Sequence, residues 1–166
     1  LTAPADQLTN TSTSVTFTWN TGTDVGSSGM AGYQIVINTT TNFVTGTSHS
    51  PIMAEGIHTW KVRGVDNEGN KGTWSVQRTL TLDATAPTAT TPNSPANKSV
   101  VATTSQILSW NASTDAVSGI GKYILQFSTD KTFSTKTTVM TNALSRTAFL
   151  TSGQTNWWRV RAFDRA

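Results

Sequence analysis

The side chains that could do chemistry in this chain begin with two histidines. His49 and His58 are the only histidines, and there is no cysteine. A Ser-His-Asp triad would need one of these imidazoles, but His49 stands in a polar stretch and His58 at an inward-facing strand position. A packed or hydrogen-bonded role is therefore favoured for His58. Cysteine nucleophiles, disulfides and thiolate metal sites are excluded.

The carboxylates do not form a catalytic pattern either. The chain has nine Asp and Glu, most of them in predicted turns. Glycoside hydrolysis requires two carboxyl groups at a defined separation, and no spacing here selects a pair. No glycine-rich loop leads into a helix, as a phosphate site would require. We therefore predict no catalytic residues and a protein that is not an enzyme.

Calcium is the metal for which the chain offers oxygen donors. The segment 66–70 (DNEGN) is dense in such donors but lacks the ligand spacing of a helical calcium loop, so a hairpin turn is the favoured interpretation. Asp83, near the middle of the chain, could instead combine with Asp24 or Asp115. No cofactor is predicted, and calcium is the alternative.

Cationic side chains beside aromatic ones are the candidate binding residues. Period-two alternation places Arg159 and Arg161 on the outer face of a strand with Trp157, and Lys61 and Arg63 at the matching positions upstream. The simpler interpretation is a solvated face on which long cationic stems cover the aromatic rings. The functional alternative is a shallow surface for an acidic glycan or an acidic neighbouring module, because Arg binds carboxylates bidentately and Trp stacks on sugar rings.

Strands with one buried face are predicted to position these residues. Apolar and polar residues alternate in three segments of the first half of the chain, as in a sheet with one face on a core. The inward positions are Val15, Phe17 and Trp19, then Tyr33, Ile35 and Ile37, then His58, Trp60, Val62 and Gly64. The opposite face of the third segment carries Thr59, Lys61, Arg63 and Val65. Turn residues separate the strands at a spacing typical of a β-sandwich.

The chain contains one module twice. Residues 18–20 (TWN) match residues 109–111 (SWN) at an offset of 91, and residues 60–66 (WKVRGVD) match residues 158–164 (WRVRAFD) at an offset of 98. Three prolines between the copies favour extended backbone and predict a short, semi-rigid linker. The predicted domains are residues 1–86 and residues 92–166, joined by the Pro-containing linker 87–91.

Composition and charge limit the class of protein. Ser and Thr make up 50 of 166 residues, and this favours strands over helices. No apolar run approaches the ~20 residues of a membrane span, and no signal-type leader precedes the first strand, so membrane insertion is not expected. Residues 1–83 carry a net charge of −2 and residues 84–166 one of +5. A few cations outside a docking motif do not make a nucleic-acid surface, so the expected partners are neighbouring domains of the same protein or like subunits.

These features together resemble the tandem fibronectin type III-like modules of bacterial surface and secreted proteins. The resemblance rests on the Trp19 and Trp110 strands, the turns that lead to Tyr33 and Tyr123, and the Trp-x-Val-x-Gly/Ala-x-Asp strand of each copy. It implies an all-β fold with two tandem immunoglobulin-like, fibronectin type III-like β-sandwiches. Many family members have a corner tyrosine where this chain has His58 and Asn156, which could bond the same backbone.

The second copy is predicted to lack its last strand. After Asp66 the first copy continues to a strand with Trp74, Val76, Leu80 and Leu82, but only two residues follow Asp164. The second sandwich would then expose an unpaired strand edge. The simpler explanation is a piece of a longer chain. The alternative is that another chain donates the strand.

The predicted function is that of a non-catalytic structural spacer or assembly segment in an extracellular or cell-surface protein. Three alternatives stay open: a carbohydrate-binding or adhesion module, an accessory segment of a secreted polysaccharide-degrading enzyme, and a subunit of a surface filament or sheath completed by strand donation. The sequence does not name a ligand.

Overall fold

The computed structural model describes all 166 residues, and every regular element in it is a β-strand. The chain divides into two compact units, Leu1–Ala84 and Thr85–Arg165, which we call unit 1 and unit 2. The all-β prediction is confirmed. No helix of the structure could cross a membrane.

Unit 1 contains seven strands. They are β1 (Leu8–Asn10), β2 (Phe17–Thr18), β3 (Met30–Ile37), β4 (Thr40–Val44), β5 (Ser48–His49), β6 (Gly56–Asp66) and β7 (Arg78–Leu82). Five of them form a sheet in the order β1-β7-β6-β3-β4, and β2 pairs with β5. The pairing is antiparallel except between β1 and β7, which run parallel.

The core of unit 1 confirms the predicted alternation. Its buried members are residues at the predicted inward positions, residues of the last strand, and Met53 between β5 and β6: Val15, Phe17, Trp19, Tyr33, Ile35, Ile37, Met53, Trp60, Val62, Leu80 and Leu82. Val65, predicted on the outer face, is buried but is not a member of the core cluster, and Lys71 pairs with it. One prediction near the hairpin was wrong, the extent of the last strand. Trp74 and Val76 lie outside β7, and Val76 is exposed.

Unit 2 contains six strands in two sheets of three. They are β8 (Pro92–Ser94), β9 (Ser105–Trp110), β10 (Ile120–Ser128), β11 (Thr137–Thr141), β12 (Ser145–Phe149) and β13 (Trp157–Asp164). The orders are β11-β10-β13 and β12-β9-β8, with antiparallel pairing throughout. No strand pairs with the second edge of β13, so this sheet has no counterpart of β7.

The core of unit 2 is smaller. Its buried residues are Leu108, Trp110, Tyr123, Leu125, Ala148 and Ala162. Trp158 and Val160 pack against this cluster but keep part of their surface exposed. Without a strand beside β13, no leucines equivalent to Leu80 and Leu82 close the core at that edge.

The two units repeat one local contact. Trp19 packs edge-on against Tyr33 with ring centroids 5.6 Å apart, and the Tyr33 hydroxyl accepts a hydrogen bond of 2.8 Å from Gly22 N. In unit 2 the ring centroids of Trp110 and Tyr123 are 5.8 Å apart, and the Tyr123 hydroxyl accepts a hydrogen bond of 3.1 Å from Ser113 N. Each tyrosine thus joins its strand to the turn that precedes it.

The residues predicted as a linker, 87–91, form hydrogen bonds inside unit 2. Thr88 N donates to Thr114 O at 2.9 Å, and Asn111 N donates to Thr91 O at 2.9 Å. The prolines keep the backbone extended, but their neighbours still have free donors and acceptors that bond the chain after β9. The boundary between the compact units therefore falls at residues 84–85.

Candidate cation–aromatic surfaces

The outer face of the unit 1 sheet holds Trp74 under two cations. Lys61 Nζ lies 4.9 Å and Arg63 Cζ lies 4.1 Å from the centroid of the Trp74 ring. Arg63 Nε also donates to Gln34 Oε1 at 2.9 Å, and Gln34 stands opposite Arg63 on β3. These contacts fix both cations over the indole and cover its face.

A backbone contact brings Trp74 to this face. Ser75 N donates to Val62 O at 2.8 Å, and Val62 N donates to Ser75 Oγ at 3.0 Å. The contact aligns residues 74–75 with the middle of β6, before β7 begins. The indole therefore joins the outer face rather than the core.

The outer face of the unit 2 sheet repeats the arrangement with Arg159. Its Cζ lies 4.2 Å from the centroid of the Phe133 ring, and its Nε donates to Gln126 Oε1 at 2.8 Å. Gln126 stands opposite Arg159 on β10. The side chain is thus held by one aromatic and one amide contact, as Arg63 is in unit 1.

The loop between β10 and β11 positions Phe133. The Asp130 carboxylate accepts hydrogen bonds of 2.8 Å from the backbone N–H groups of Thr132 and Ser134. Phe133 lies between them with φ 58°. Hydrogen bonds from the Thr132 hydroxyl, then from the Thr132 and Ser134 amides, lower the pKa of Asp130 to about 2.

Further cations lie over two more rings of unit 2. Arg161 Cζ lies 4.7 Å and Lys122 Nζ lies 5.8 Å from the centroid of Phe163. Lys131 Nζ lies 5.6 Å from the centroid of a Trp157 ring. A shallow depression of about 440 Å³ runs along this face and is lined by Ile124, Gln126, Arg159, Val160, Arg161 and Phe163.

The predicted binding residues thus form two surfaces, one in each unit. Lys61 and Arg63 share one ring, whereas Arg159, Arg161 and Trp157 each contact a different partner. The sequence did not reveal the anchoring roles of the residues that complete these contacts, which are Gln34, Trp74, Gln126, Lys131 and Phe133. The two glutamines could have been found from the strand register, but the aromatic partners lie in loops.

His58 forms a structural corner. It is buried, its Nε2 lies 2.9 Å from Ala54 O, and its Nδ1 lies 3.0 Å from Asn38 Nδ2. In unit 2, Asn156 Nδ2 donates to Thr151 O at 2.9 Å. Both side chains bond backbone a few residues upstream, and the second ring nitrogen of His58 is engaged by the Asn38 side chain.

The carboxylates near the unit 1 turns bond their own loops. Asp66 accepts from Asn70 Nδ2 at 2.9 Å and from the amides of Asn70 and Glu68, and these bonds lower its pKa. Asp24 accepts from Gly26 N at 2.9 Å and from Ser28 and Gly29, which also lowers its pKa. The segment 66–70 thus has the hydrogen bonding of a hairpin turn.

Comparison with known proteins adds one similarity. No protein-family model matches the chain. The chain is 33% identical over 168 aligned residues to Exoglucanase B of Cellulomonas fimi. The match covers 95% of this chain, and the chain spans about 15% of the length of that relative.

Proposed function

We propose that this chain is a non-catalytic pair of fibronectin type III-like sandwiches in an extracellular polysaccharide-degrading protein. Its role is to space and support a catalytic or binding domain elsewhere in the same polypeptide. The observation that carries the proposal is the match to Exoglucanase B, which extends over almost all of this chain but only 15% of the relative. Such a match fits an accessory segment of a glucan-cleaving enzyme.

The side-chain contacts support a structural role. Both nitrogens of the buried His58 are engaged by Asn38 and Ala54. The carboxylates of Asp24, Asp66 and Asp130 accept hydrogen bonds from their own loops. Groups held in this way stabilise turns and corners and are not arranged to attack or protonate a substrate.

A direct test is whether the chain alone acts on glucans. We expect the purified 166-residue chain to release no reducing sugar from soluble or insoluble cellulose. In the full-length parent protein, replacing the segment by a Gly/Ser linker of equal length should leave hydrolysis of a soluble substrate unchanged and slow hydrolysis of an insoluble one, because a flexible linker does not hold domains apart. Hydrolysis by the isolated chain would contradict the proposal.

Glycan binding is the alternative function, and the depression on the outer face of unit 2 is where it would occur. Arg159 and Arg161 line this depression, but each already contacts an aromatic ring, so a sugar would have to displace a cation. We therefore expect no co-sedimentation of the chain with insoluble glucan, and the same result for Arg159→Ala plus Arg161→Ala. Binding that the double variant abolishes would establish the glycan surface instead.

A further inference from the structure

The outer face of the unit 1 sheet holds two positive charges close together. Lys61 Nζ lies 4.9 Å and Arg63 Cζ lies 4.1 Å from the centroid of the same ring, that of Trp74. The two charged groups are therefore within ~10 Å of each other, which is about the screening length of 0.1 M salt. Like charges at this distance repel, and an anion placed between them relieves the repulsion.

The carboxylates of unit 1 do not supply that anion. Asp24 and Asp66 accept hydrogen bonds from their own loops, and the Asp6 carboxylate accepts one from Thr79 N. Neither cation over the Trp74 ring has a carboxylate partner. Residues 1–83 carry a net charge of −2, yet the part of their sheet around Trp74 is positive.

Arg63 is held so that the end of its guanidinium stays available. Its Nε donates to Gln34 Oε1 at 2.9 Å, and the group lies over the Trp74 ring. The terminal nitrogens of Arg63 form no hydrogen bond within the protein, and neither do the amide N–H groups of Gln34. A guanidinium fixed in this way presents two parallel donors, which is the geometry that binds a carboxylate bidentately.

An exposed aromatic ring lies on the other side of Gln34. Gln34 pairs with Phe43 on β4 as it does with Arg63 on β6, and Phe43 is 54% exposed. The tip of the ring rests on Gly32, where a Cβ atom would lie 2.8 Å from Phe43 Cζ. Since neighbouring strands are ~4.8 Å apart, the backbones at Arg63 and Phe43 are separated by about two strand spacings, ~10 Å. Two linked sugar rings can cover such a stretch.

We propose that this surface of unit 1 binds an acidic polysaccharide through its uronic acid residues. The surface consists of Gln34, Phe43, Lys61, Arg63 and Trp74. The carboxylate of one sugar lies between the two cations, the Gln34 amide donates to a sugar oxygen, and an adjoining sugar ring packs on Phe43. Trp74 stays beneath the cations and positions them. A neutral glucan has no group for the two cations, so it is not a ligand of this surface.

The choice of a glycan among anions rests on the proposed function in a polysaccharide-degrading protein. The inference adds the class of polymer that the segment recognises. The two proposals fail separately, because a segment that only spaces domains would pass the linker-replacement test and show no binding to an acidic glycan. Conversely, binding without any effect of linker replacement would leave the acidic-glycan surface in place and remove the spacer role.

The test measures binding of a labelled oligogalacturonate, a chain of uronic acid residues, to the intact 166-residue chain. We expect saturable binding that weakens as salt is added and that shifts the NMR signal of the Trp74 indole N–H. The fully methyl-esterified oligomer is the matched control, since it has the same sugars without the charges and leaves the protein unchanged. It should bind at least ~10-fold more weakly.

Protein variants locate the site. Arg63→Lys keeps the charge but removes the paired donors, and Phe43→Ala removes the exposed ring, so each should weaken binding several-fold. Lys71→Gln is the matched control, because it removes one positive charge from an exposed residue of unit 1 that is not part of the surface. This substitution should leave binding nearly unchanged.

The other outcomes overturn the proposal. Equal binding of the acidic and esterified oligomers would show that the carboxylates are not recognised. Signal shifts confined to β13 would place the site in unit 2. Competition by polyglutamate as strong as that by unlabelled oligogalacturonate would show that the sugar is not recognised, and an absence of binding would remove the site altogether.

Discussion

Asp130 shows how one carboxylate organises the outer surface of unit 2. Its oxygens accept bonds from Thr132 and Ser134, and the loop they fix holds Phe133 under Arg159. Arg159 is held a second time by Gln126. A cation on the sheet face therefore depends on hydrogen bonds in a loop some 30 residues earlier.

The stability of unit 2 should consequently depend on pH through Asp130. Its folded-state pKa of about 2 lies below the ~3.9 of an unfolded chain, so the ionised group stabilises the folded state fully at pH values above the unfolded-state pKa. This stabilisation is lost as the pH falls from about 4 to about 2. We expect Asp130→Asn to flatten the fall in unfolding temperature over this window.

Glu68→Gln is the matched control, because Glu68 is exposed in a turn of unit 1. This substitution should leave the fall in unfolding temperature between about pH 4 and about pH 2 unchanged. NMR titration of the Asp130 carboxyl carbon measures the pKa directly, and a midpoint near 4 would contradict the hydrogen-bonding argument.

At the scale of the element, β7 closes unit 1. Leu80 and Leu82 are completely buried, while Thr81 between them is only partly buried. Leu80 also stands opposite His58, whose ring forms the corner with Ala54. β7 thus joins the core of the unit to its corner.

Leu80→Ala should destabilise unit 1 by about 2–5 kcal/mol, the usual cost of removing a fully buried leucine side chain. Thr81→Ala is the matched control and should cost less than about 1 kcal/mol. Urea denaturation monitored at the unit 1 tryptophans measures both changes. Equal effects would mean that β7 contributes through its backbone and not through its buried leucines.

The strand faces could be predicted from the sequence, but several loop contacts could not. The alternation at Tyr33, Ile35 and Ile37 determines which face of the strand is buried, because a shift by one residue would turn all three side chains to solvent. Trp74 is predicted in the last strand with Val76, Leu80 and Leu82, but it lies before the start of β7. Its actual place depends on the Ser75 contacts with β6, which no local period encodes.

At the scale of the whole molecule, the two units differ in net charge. Residues 1–83 carry −2 and residues 84–166 carry +5, and the division between units falls within two residues of that boundary. The two units thus have similar folds but surfaces of opposite net charge. A net charge away from zero supports solubility. The repeat was visible in the sequence, but the role of residues 87–91 was not. Their backbone groups and threonine hydroxyls bond residues 20 or more positions later in the chain, and no local pattern encodes such contacts.

The parallel pairing of β1 with β7 has a mechanical consequence. These are the first and last strands of unit 1, and they pair at Leu8 with Leu80, Thr9 with Thr81 and Asn10 with Leu82. A pulling force applied to the two ends of the unit loads these pairs together in shear, instead of opening them one after another. In unit 2 the first and last strands, β8 and β13, belong to different sheets.

We therefore expect single-molecule stretching of the chain to give two rupture events, with unit 1 resisting the greater force. Leu80→Ala should lower the stronger event and leave the weaker one unchanged. Two events of equal force would show that the parallel pair carries no special load. If unequal forces are found, β7 both completes the sheet of unit 1 and makes unit 1 the more force-resistant unit.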